Sequence, residues 1–93
     1  MKKIHETIYN QVERLSDLTI LFMQTNKPQL LKRCLSIAEN KLKTGSSEVK
    51  IAISSIFIFK VSHYLEMNNY NIHQVLPLQL DREYIKQVNA SGV

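Results

Sequence analysis

From Ile4 to Phe22 the apolar residues Ile4, Ile8, Val12, Leu15, Leu18 and Phe22 recur at helical spacing. At about 100° per residue they fall within about a third of a helical wheel. Glu6, Asn10, Glu13 and Asp17 lie outside that stripe, so the segment predicts an amphipathic helix. Thr25-Asn26-Lys27-Pro28 stops it, because the residue before a proline disfavours the helical region and proline suits the first turn of a new helix. The second helix therefore starts near Pro28, with Leu30, Leu31, Cys34, Leu35, Ala38 and Leu42 as its buried stripe. Lys41 and Lys43 complement the negative end of its dipole. Gly45 is expected to end it in a left-handed conformation, and Ser46-Ser47-Glu48 reads as the start of the next helix. So short a gap predicts an antiparallel helical hairpin.

The segment from Glu48 to about Asn68 contains Ile51-Ala52-Ile53 and Ile56-Phe57-Ile58-Phe59, which would also suit a buried strand. Its length without a Gly or Pro break exceeds the usual strand, and apolar residues occupy nearly every side of the wheel, as in a helix packed by several neighbours. Asn68-Asn69-Tyr70-Asn71 predicts a turn, since asparagine tolerates left-handed backbone. Ile72 to Leu76 predicts one short helical turn before Pro77. A last helix, capped by Asp81 and carrying Leu80, Tyr84, Ile85 and Val88 inward, is expected to reach about Ala90. The fold class is thus all-α: a compact bundle of four to five helices around a central apolar helix, as a single domain over residues 1–93.

Composition narrows this further. A chain of 93 residues buries only roughly 60–65% of its unfolded surface, which favours one body without a deep cleft. The lone Cys34 forms no internal disulfide, and Met1-Lys2-Lys3-Ile4-His5-Glu6 turns polar again at once, so a reducing, cytoplasmic location is expected. The longest apolar run, Ile51 to Phe59, falls short of the roughly 20 residues that a membrane helix needs. Net charge is +4, but the cations are spread along the chain.

The residues of a catalytic or metal site do not assemble in the sequence. His5, His63, His73 and Cys34 lack the spacing that places two ligands on one element, so neither metal nor cofactor is expected. Ser62 and His63 are adjacent and point about 100° apart on a helix, which prevents a nucleophile–base pair. Asp81 and Glu83 suit capping and the helix dipole better than acid–base work. Gly45 and Gly92 build no phosphate loop. The expectation is a non-enzyme. A recognition helix for nucleic acid would need a focused basic face, whereas the second helix mixes Lys32, Arg33, Asn40 and Lys43 with Glu39.

Ser47-Glu48-Val49-Lys50-Ile51-Ala52, following a helix and a Gly45 turn and leading into a long apolar helix, resembles the second helix of a HEAT-type repeat. The match spans about residues 28 to 68, with Lys50 where arginine is usual and a single copy of the motif. The chain also looks like small uncharacterised bacterial proteins with HEAT-like hairpins, some of which are thought to serve as partners or immunity factors for other proteins. That resemblance implies a scaffold that binds a macromolecule through exposed helix faces, with no catalytic residues to carry over.

The expected function is a protein-interaction module, in the role of a cytosolic regulator or an immunity-type inhibitor. Interfaces rely on a few aromatic or arginine anchors, and Tyr9, Arg33 and Tyr70 are the candidates. A small nucleic-acid-binding regulator is the second expectation. The third is a homodimer that completes its core across a two-fold axis.

Overall fold

The computed structural model describes residues 7–91. Helix α1 spans Ile8–Gln24, and Thr7 caps it by accepting a hydrogen bond from the Asn10 amide at 3.1 Å. The expected stripe is rotated. Val12, Ser16, Thr19 and Met23 are buried, while Leu18 is 39% exposed, and Ile4 lies outside the described residues. The rotation has a physical reason in Ser16 and Thr19, both wholly buried. Their hydroxyls donate to the carbonyls of Val12 at 2.8 Å and Leu15 at 2.7 Å, so neither loses a partner in the core. Their small size lets α1 pack along the central helix.

Asn26, in the left-handed region at φ 56°, turns the chain into α2 (Pro28–Thr44), whose first residue is the proline. Cys34, Leu35 and Ala38 are buried as expected, but Leu30 is 40% exposed. Gly45 is not left-handed. Its φ of −72° and ψ of 170° are extended, and glycine is required for space: a Cβ there would meet the Lys41 carbonyl oxygen at 2.5 Å and Val49 Cγ1 at 2.7 Å.

Ser46 caps the next helix by accepting from the Val49 amide at 3.3 Å. The segment that could have been a strand is helix throughout. α3 (Ser47–Ala52), a π-helical turn (Ile53–Phe57) and α4 (Ile58–Met67) follow without a break. Ile53, Phe57, Ile58, Val61 and Leu65 are each no more than 1% exposed. Burial of side chains of this size stabilises by about 1.5–3 kcal/mol each, which makes this helix the core. α1, α2 and α6 surround it. In the π turn the Ile58 amide reaches back to the Ile53 carbonyl, and the Ser54 carbonyl accepts from the Gln87 side chain at 2.6 Å.

Asn69, at φ 60°, ends α4, and Asn71 caps the short α5 (Ile72–Val75) by accepting from the His73 amide at 3.2 Å. α6 spans Leu78–Ser91. Asp81 lies inside this helix and does not cap it. The cap comes from α2, where the Glu39 carboxylate accepts from the amides of Gln79 at 3.1 Å and Leu80 at 3.0 Å. Leu80 is wholly buried and Tyr84 half-buried, but Ile85 and Val88 are 41% and 45% exposed. Among the described residues there is no strand, and no helix is long and apolar enough to cross a membrane.

Candidate interaction groove between the first two helices

The antiparallel pairing of α1 and α2 leaves a groove of about 260 Å³ along their outer side. Ile8, Val12, Leu15 and Leu18 form one wall, Ile37 faces them from α2, and Val49 of α3 closes one end. Leu18 and Ile37 are 39% and 45% exposed, so the groove presents apolar side chains that the core does not use. Leu21, one turn beyond Leu18, and Leu30, two turns before Ile37, are exposed as well. Among the described residues, the polar lining consists of Gln11, Arg14 and Lys41.

The acidic residues of these two helices are engaged elsewhere. Asp17 and Glu13 bind Lys60 of α4 at 2.7 and 3.4 Å, tying α1 to the central helix. The Asp17 hydrogen bond raises the Lys60 pKa against the opposing effect of partial burial, and the charge attraction of both acids adds to it. Glu39 is held on the first amides of α6. Glu48 stands in the first turn of α3, beside Val49 in sequence. Arg14, which has an interaction of its own, and Lys41 line the groove, and Arg33 is exposed on α2.

A second polar cluster joins α4, α5 and α6. The Tyr84 hydroxyl donates to Glu66 at 2.7 Å, and this bond, with burial and the charges of Glu66 and Asp81, pushes its pKa up to about 12. A phenol held neutral in this way is a donor and not a base near neutral pH. The His73 ring lies edge-on to that of Tyr84, and its Nδ1 meets the Asp81 carboxylate at 2.7 Å. His73 is 60% exposed at the side chain but pins α5 to α6. His63 is exposed and stacks on Phe59, while Cys34 is buried. Among the described residues no three His, Cys, Asp or Glu side chains gather as metal ligands would.

The three residues singled out as anchors are dispersed. Tyr9 is exposed in the first turn of α1. Tyr70 lies near Tyr64, with ring centroids 6.3 Å apart, and lines a small cavity with Phe22 and Met23 at the other end of α1. The rise of the helix between Tyr9 and Met23 is about 20 Å, so Tyr9 and Tyr70 serve no common site. Arg33 is exposed on the second turn of α2. The groove residues Leu18 and Ile37 carried no such signal, because one was assigned to the core stripe and the other to neither face.

Among the described residues, fold and groove define an all-α bundle with an apolar trough between α1 and α2 that Arg14 and Lys41 help to line. The chain belongs to the family described as Domain of unknown function (DUF7674), which matches residues 2–90. No curated protein and no solved structure matches the chain.

Proposed function

We propose that this protein is a non-enzymatic interaction module that acts by occupying the surface of another protein, in the manner of a small cytosolic regulator or an immunity-type inhibitor. The observation that carries this reading is the groove between α1 and α2. There Leu18 and Ile37, each about two-fifths exposed, line the same trough. Apolar side chains grouped in a trough and rimmed by charge are the surface that a docking partner removes from water. The resemblance of residues 28–68 to a HEAT-type hairpin, a scaffold that binds through helix faces, points the same way.

The test is capture from the native cell by the intact chain, in parallel with the double variant Leu18→Glu and Ile37→Glu. Both positions are partly exposed, and circular dichroism checks that the helices persist. The reading predicts a protein partner that the wild type retains and the double variant loses. Recovery of no partner, or equal recovery by both, overturns it.

A further inference from the structure

A second concavity lies apart from the groove and has no part in the reading above. It is an open cleft of about 730 Å³ between α6 on one side and α3 with the π turn on the other, and Leu42 of α2 lines it as well. We propose that this cleft binds a small organic anion, with the charged group on Lys50 and a short apolar portion against Leu42 and Ile51.

The polar groups of the cleft fall into two sets. The first is satisfied within the protein. Glu83, the acid among the described lining residues, meets the Lys86 ammonium through Oε1 at 3.6 Å and accepts from the Gln87 side-chain amide through Oε2 at 3.5 Å. That amide also donates to the Ser54 carbonyl at 2.6 Å, and the Ser55 hydroxyl donates to the Ile51 carbonyl at 2.7 Å. The second set lacks acceptors among the described residues: the Lys50 ammonium, the Gln79 side-chain amide and the Ser54 hydroxyl. What remains is a surplus of donors. A neutral guest leaves the ammonium without a counter-charge, whereas a carboxylate or phosphate brings charge and several acceptor oxygens together.

The backbone beside the cleft is a separate sign. A π turn departs from the regular helical ladder, and such turns occur frequently at functional sites. Here the Ser54 carbonyl is bonded to Gln87, so the turn ties the two walls of the cleft to each other and holds the donors on fixed elements.

Size and lining narrow the ligand. The volume lies within the range of small-molecule pockets, about 300–1,000 Å³. Ile51 is 56% exposed and Leu42 half-buried, which leaves hydrocarbon for an alkyl portion to cover. A nucleic acid needs a run of cations, and the cleft has Lys50 and Lys86, the second already beside Glu83.

The experiment is a titration of the isotope-labelled intact chain, followed by its amide NMR shifts, with pentanoate, pentyl phosphate and pentanol as probes. Saturable shifts are expected at residues 50–55 and 79–87 with an anion, the tighter of the two showing whether the natural group is a carboxylate or a phosphate. Pentanol should bind about fivefold more weakly, and Lys50→Gln should weaken the anion by about the same factor while Lys50→Arg keeps it. Lys50 is exposed, and circular dichroism checks that the fold of each variant persists. Equal affinity for pentanol, an affinity unchanged by Lys50→Gln, or saturable shifts only around Leu18 and Ile37 overturns the proposal. So does the absence of saturable shifts with either anion at about 10 mM. The groove between α1 and α2 is tested separately, by capture of a partner.

Discussion

Gly45 shows at the residue scale why a glycine can be needed without a positive φ. Its extended backbone is open to any residue, and at such a position Gly→Ala ordinarily stabilises by about 0.4–1 kcal/mol through the unfolded state. Here the added methyl would press on the Lys41 carbonyl and the Val49 side chain, and the carbonyl belongs to a helix that cannot easily yield. Gly45→Ala is therefore expected to destabilise, by about 1–3 kcal/mol as in other overpacked sites, in a urea unfolding curve. A stabilised variant would refute the crowding. Tyr84 gives a pH signature at the same scale. Its neutral form donates to Glu66, so its folded pKa of about 12 lies above the ordinary 10. The stabilisation it adds is complete below about pH 10 and is lost as pH rises through about 12. An ultraviolet titration of the folded protein should contain a tyrosinate step near pH 12 that Tyr84→Phe removes.

Elements were legible where punctuation is local. Asn26-Lys27-Pro28, Ser46 and Asn68-Asn69 act on their own neighbours, and each helix they bound is present. Features set by distant partners were not. The cap of α6 comes from Glu39, some forty positions earlier in the chain, so Asp81 seemed the nearer candidate. The face that α1 buries was displaced because Ser16 and Thr19 satisfy their hydroxyls on their own helix, and a hydropathy pattern counts them as polar. The π turn has a similar origin. The Ser54 carbonyl it exposes is taken up by Gln87 of α6, at 2.6 Å. Gln87→Ala leaves that acceptor without its side-chain donor, a loss of about 1 kcal/mol. Hydrogen exchange at the amides of residues 53–58 should then quicken about fivefold relative to those of α2. Unchanged exchange would mean that the π turn is held by the packing of Ile53 and Phe57 alone.

The bundle as a whole keeps its core on one helix, and its exposed apolar side chains include Leu18, Leu21, Leu30 and Ile37 on the hairpin of α1 and α2 as well as Phe59 and Met67 on α4. Residue type alone pointed to Tyr9, Arg33 and Tyr70, which the fold scatters over different ends. The groove exists only once two helices are paired, so neither Leu18 nor Ile37 could announce it singly. The most direct test of the account is hydroxyl-radical footprinting of the intact chain, free and bound to the partner it captures. Leu18, Leu21 and Ile37 should lose most of their oxidation on binding, whereas Phe59 and Met67, 64% and 70% exposed on the other side, should react as before. Protection of Phe59 and Met67 with Leu18 and Ile37 unchanged would contradict it.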